Sequence, residues 1–154
     1  MSFLAGQILT AGQLNDLARD ANYTPTLTGS GANPTLGTGS VASIEAHFNG
    51  DFYLAYFNIT FGTSGAAAGT GTYQIDLPAD LTIDADWAAN VALGQAEIND
   101  GGTAYPVEVR SSTATRLICR FQGQATHGDA AWSSTTVPMG NNDFIRGTWY
   151  ARLA

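Results

Sequence analysis

From Val41 onward, apolar and polar residues alternate along much of this chain, a two-residue period that predicts β-strands. The run VASIEAHF leads into Asn49-Gly50 and then DFYLAYFNITF, which predicts a hairpin whose two-residue type I′ loop is Asn49 and Gly50. With that loop Phe48 faces Asp51, and Ala46, Ile44 and Ala42 pair with Tyr53, Ala55 and Phe57 on a face that Ile59 and Phe61 continue. That row is the expected core. The opposite face then carries His47 beside Phe52, Glu45 beside Leu54 and Ser43 beside Tyr56. Three large apolar groups among polar ones predict a partly covered surface, either a packing site for another part of the chain or a subunit contact.

Further strands follow with the same logic. TYQIDL at 72–77 reads as a strand ended by Pro78, after a loop, GTSGAAAGTG, whose Gly62, Gly65, Gly69 and Gly71 are turn glycines. No lysine follows them and no helical pattern opens after them, so a phosphate loop is not indicated. VALGQAEIN, Asp100-Gly101-Gly102 and TAYPVEVR write a second hairpin, with Ala96, Ile98, Tyr105, Val107 and Val109 on one side and Glu97, Glu108 and Arg110 outside. RLICRF places Leu117, Cys119 and Phe121 inward, and DFIRGTWYARL separates Ile145, Trp149, Ala151 and Leu153 from Arg146, Thr148 and Arg152. Roughly seven to nine short strands predict an all-β fold, an antiparallel β-sandwich or jelly roll.

The N-terminal region has a different period. Thr10 with Gln13 forms a capping-box pattern, and Leu14, Leu17, Ala18 and Ala21 recur at helical spacing, predicting a short α-helix that ends near Asn22. A helix this short must dock its apolar stripe on something, its own domain or a partner. The expected organisation is therefore an attachment arm over 1–22 and a β-sandwich domain over 23–154. Residues 23–40, uncharged and built of Thr, Gly, Ser and Pro, predict either a flexible linker or short edge strands around Tyr23, Leu27 and Leu36.

Charge narrows the function. The net charge is −7 and all six cations are arginines, so a phosphate backbone would be repelled; nucleic acid and anionic membrane are not expected partners. The absence of lysine removes Schiff-base and Lys general-base chemistry. Nothing at the N-terminus has the form of a signal peptide or membrane span, which predicts synthesis in a cytoplasm.

No catalytic set emerges. Neither His47 nor His127 lies in a recognisable nucleophile motif, Cys119 reads as a buried thiol, and Glu45, Glu97 and Glu108 alternate out of strands as a wet face would. The expectation is a non-enzymatic protein without cofactor. Asp76, Asp80, Asp84 and Asp86 offer oxygen ligands for calcium, but their spacing is not that of an EF-hand loop, and no metal site is assigned to them. Trp87 and Trp132, in loop-like stretches, are the candidate ligand contacts, with plugging the end of a sandwich as the alternative for each.

The segments FLAGQILTAGQLNDL, YTPTLTGSGANPTLGTGS and ITFGTSGAAAGTGTYQIDLP, with TAYPVEVRSSTATRL and NDFIRGTWYARL near the end, resemble small tailed-bacteriophage virion proteins over nearly the whole chain. The resemblance implies a virion structural protein, a minor tail, fibre-tip or head-surface component made in the host cytoplasm. It also implies a homo-oligomer, a trimer above all, in contact with other virion proteins. Docking would use the arm, through Leu14 and Leu17, and the face of Phe52, Leu54 and Tyr56. A receptor- or carbohydrate-binding tip recognising a host surface glycan through Trp87 and Trp132 is the alternative.

Overall fold

In a computed structural model that describes residues 18–123 and 127–154, the alternating runs form nine strands. They are β1 (Ala18–Tyr23), β2 (Thr26–Gly29), β3 (Val41–Asn49), β4 (Phe52–Thr60), β5 (Tyr73–Asp76), β6 (Ala92–Asp100), β7 (Thr103–Thr113), β8 (Arg116–Phe121) and β9 (Phe144–Arg152). All pairings are antiparallel, in the order β1-β3-β4-β9-β6-β7-β8-β5-β2. The expected all-β class is thus present, with its layers formed by one curled sheet whose two halves cover a single core.

The two edge strands explain the curl. β1 and β2 lie at opposite ends of the strand order, yet only Thr24 and Pro25 separate them in the chain. Three Cα–Cα steps span at most about 11 Å, so the sheet must bend until its edges nearly meet. Pro25 is buried at this corner, where it has no N–H to leave unpaired.

This pairing corrects the expected helix. Ala18–Tyr23 is a strand matched residue for residue with Ile44–Asn49 of β3, so the helix does not run to Asn22, and the boundary expected after Asn22 falls inside β1. The open edge of β3 outweighs a helical pattern that there rested on Ala18 and Ala21 alone. The rest of the predicted helix, including Leu14 and Leu17, lies outside the described residues. Residues 23–40 are no linker either. Leu27 is buried on β2, and the segment beyond it bridges to the glycine-rich loop at Thr35–Ala67 and Thr38–Ser64.

The first hairpin keeps its faces but shifts its partners. Asn49 pairs with Phe52, leaving Gly50 and Asp51 as the loop, and so Phe48 meets Tyr53, Ala46 meets Ala55 and Ile44 meets Phe57. Only Gly50 has positive φ (61°) in this loop, as a type II′ turn requires at its first central position; a type I′ turn over Asn49 would demand it of Asn49 as well. The slip moves each pairing by two residues, an even number, so no side chain changes face. In the second hairpin Gly101 and Gly102 both take positive φ (55° and 88°) and Ala96 faces Val107.

The core runs across all but the first strand: Leu27, Ile44, Phe57, Ile75, Ile98, Val109, Phe121 and Trp149 belong to one buried cluster. The outer face of β3, β4, β9, β6 and β7 is left to meet the surroundings.

Candidate functional site

On β4 the alternation that buries Tyr53, Ala55 and Phe57 turns Phe52, Leu54 and Tyr56 outward, where they are 47%, 52% and 41% exposed. β9 contributes Tyr150, directly opposite Leu54 and 53% exposed. Trp87 closes the group from the side, its ring meeting Phe52 at 5.9 Å and Tyr150 at 5.7 Å in edge-on contacts. A shallow groove of about 330 Å³ runs beside Leu54, with His47, Asn49, Phe52 and Tyr150 on its walls.

Trp87 is held by the acidic run rather than by chance. It ends a single 3-10 turn, Ala85–Trp87, capped by Asp84, whose carboxylate accepts from the Asp86 N–H at 2.9 Å. Arg152 of β9 donates to both Asp84 (2.9 Å) and Asp86 (3.1 Å). The Arg152 hydrogen bond, then the Asp86 N–H, hold the Asp84 carboxyl below its ordinary range. Ser111 Oγ, buried, donates to the Trp87 carbonyl at 2.7 Å. Asp76 pairs instead with Arg116, so three of the four acids, Asp76, Asp84 and Asp86, are divided between two arginines; among the described residues no group of three His, Cys, Asp or Glu is arranged to hold a metal.

Trp132 is a correction. It is fully buried, its ring 4.4 Å from that of Tyr73 and its Nε1–H directed to the Val137 carbonyl at 3.3 Å, so it presents nothing to a ligand. The alternative of a Trp plugging the core is what the fold contains. Trp87 is half-buried and joins the exposed face. Tyr150 is an addition to the expected contacts: it lies between the core residues Trp149 and Ala151, and parity alone puts it outside.

The two histidines and the cysteine have structural surroundings. His47 Nδ1 lies 2.6 Å from an Asp20 carboxylate oxygen of β1, and His127 packs against Tyr105 and Phe121. Burial pushes the Cys119 thiol up to about 12, which keeps it protonated and unreactive. No family model, curated protein or solved structure matches this chain.

The outer face has a second, polar part. The strand register aligns Glu45, Tyr56, Thr148, Gln95, Glu108 and Arg120 in one row across β3, β4, β9, β6, β7 and β8. Two adjoining hollows of about 360 and 280 Å³ follow this row and share Gln95, Ala96 and Pro106. Tyr56 thus stands at the border between an apolar end and a polar groove.

One carboxyl pair sits at the tip of the second hairpin. Asp100 is raised above the ordinary 3.8, first by burial, then by the neighbouring negative charge of Asp143 and its hydrogen bond to that carboxylate. Because the folded protein holds this proton more tightly than the unfolded chain, the contribution of Asp100 is present at acidic pH and is lost as pH rises through its raised folded value. Asp100→Asn should therefore be more stable than the wild type at neutral pH, with the difference vanishing at acidic pH. Urea unfolding across that range checks this, and a gain that persists unchanged into acid would contradict it.

Proposed function

We propose that this protein is a non-enzymatic structural subunit of a bacteriophage-type particle, assembling as an oligomer through the apolar end of its outer face. The observation that carries the reading is the side-by-side exposure of Phe52, Leu54 and Tyr150 on two paired central strands, with Trp87 packed against them. A contiguous apolar surface on the middle of a sheet, rimmed by His47, Asp51 and Arg152, is the composition of a subunit contact. The resemblance to small tailed-bacteriophage virion proteins supports the setting, a virion, and a trimer as its oligomer.

Leu54→Asp would place a charge at the centre of the contact while leaving an outward-facing position of β4 free to solvate it in the monomer. Light scattering of the purified full chain should show an oligomer for the wild type and a monomer for Leu54→Asp, both with the same β-rich circular dichroism. A monomeric wild type, or an oligomer that survives the charge, would remove this reading. For attachment to the particle, the deletion to make is 1–17 and not 1–22, because the latter removes most of β1 and bares the edge of β3.

A further inference from the structure

The groove beyond Tyr56 is built for a different occupant from the apolar end. It runs from Tyr56 on β4 over β9, β6 and β7 to Gln122, just past the end of β8, four inter-strand steps of about 4.8 Å, so its length is about 19 Å. Its floor is low because Ala96 and Gly147 face the core and raise nothing above the sheet, while the outward-facing Pro106 and Thr148 between them are short. Tyr56 offers a ring at one end, and Gln95, Glu108 and Gln122 line the other.

Glu108 is the most constrained of these. Only 11% of its side-chain surface is exposed, and Oε1 accepts from Arg110 Nη1 at 2.8 Å. Arg110 is itself fixed, donating to the Asn90 side chain at 3.1 Å and to the Asn90 carbonyl at 2.6 Å. The carboxylate is therefore oriented before any ligand arrives, and among the described residues its second oxygen has no partner. Such pre-set polar groups avoid the ordering cost that a flexible surface glutamate would have to meet on binding.

The chemistry of the lining excludes most occupants. Glu97 and Glu108 disfavour anions; the one arginine lining these two hollows, Arg146, is drawn aside, donating to Asn58 at 3.0 Å with its guanidinium 4.0 Å from the Phe144 ring centre. An extended peptide seeks an open strand edge, whereas this groove lies over strands paired on both sides. An apolar molecule would leave the amides and carboxylates unpaired.

What remains is a neutral molecule with many hydroxyls. A hydroxyl donates to a carboxylate and accepts from an amide, which Glu108 and Glu97 with Gln95 and Gln122 supply, and one apolar ring face stacks on tyrosine. We infer that the Tyr56–Gln122 groove binds a neutral oligosaccharide several rings long, with one ring on Tyr56 and the neighbouring hydroxyls held by Gln95 and Glu108. This inference does not rest on the oligomer reading.

The test is monovalent titration of the full-length protein with neutral oligosaccharides, first picked on an array of glucose-, galactose-, rhamnose- and N-acetylhexosamine-based chains. Binding of such a chain should weaken about tenfold or more in Tyr56→Ala and in Gln95→Ala, and should be unchanged in Leu54→Asp. Matching circular dichroism would show the variants folded. The inference fails if no neutral chain binds the wild type, if only anionic glycans bind, or if affinity is indifferent to Tyr56→Ala and Gln95→Ala. Loss of binding in Leu54→Asp alone would place the ligand on the apolar end and overturn the assignment to this groove.

Discussion

Trp149→Ala should lower the unfolding free energy by about 3–5 kcal/mol, a large share of the roughly 5–15 kcal/mol that holds a domain of this size together. Trp149 stands on β9, the strand that joins β4 to β6, and is fully buried. Its ring meets Tyr53 edge-on at 6.2 Å and Phe57 at 5.6 Å, so truncation opens a cavity between strands that hydrogen bonds hold apart. It also breaks a polar chain through the core. Trp149 Nε1–H donates to the Tyr53 hydroxyl at 3.2 Å, and that hydroxyl donates to the Leu81 carbonyl at 3.4 Å. Burial has already pushed the Tyr53 phenol up to about 12, so it cannot answer the loss by ionising. Trp149→Phe separates the two effects: it refills most of the volume but omits the N–H, and should cost about 1–2 kcal/mol. Urea denaturation of the three proteins measures this, and a Phe variant as unstable as the Ala variant would show that the hydrogen bond, not the cavity, dominates.

Asp143→Ala should cost about 2–3 kcal/mol, an effect out of proportion for one loop carboxylate. Asp143 is 4% exposed and stands just before β9. Its Oδ1 accepts from the Gly101 N–H at 2.9 Å and its Oδ2 from the Gly140 N–H at 2.6 Å, while its backbone carbonyl accepts from Phe61 at 2.8 Å. One side chain thereby ties the tip of the β6–β7 hairpin to the loop that feeds β9. Without the carboxylate both N–H groups lose a charged acceptor at once. Asp143→Asn should recover only part of the loss, because the amide presents N–H₂ where one of the two donors points. Equal stability of Asp143→Ala and the wild type in the same denaturation series would show that solvent replaces both bonds.

The faces of the strands were readable in advance because side-chain direction depends on parity alone. That is why Phe52, Leu54 and Tyr56 stand outside although their expected partners were two residues off, and why the second hairpin appears with Ala96 opposite Val107. Reading a turn is harder. Asn49-Gly50 and Gly50-Asp51 differ by one position, and the choice rests on which residue takes positive φ, which no periodicity records. The tryptophans misled for a related reason. Trp132 lies in a polar, irregular stretch, and its burial depends on the ring of Tyr73 and the carbonyl of Val137, contacts made only after the chain has folded.

By itself, then, the sequence determined the class of this protein: strands from Val41 onward, their inner and outer faces, the two hairpins, and a net charge of −7. These are local properties, set by spacing, turn residues and charge. The tertiary structure alone decided which distant strands became neighbours, so that β9 lies between β4 and β6 and β5 between β8 and β2. It also decided that Ala18–Tyr23 completes a sheet, and that Tyr150 and Trp87 join Phe52 and Leu54 in one exposed face. Each of these is a pairing between residues far apart in the chain, chosen by whichever arrangement leaves the fewest apolar groups and strand edges uncovered, and that is a comparison only the whole folded chain can make.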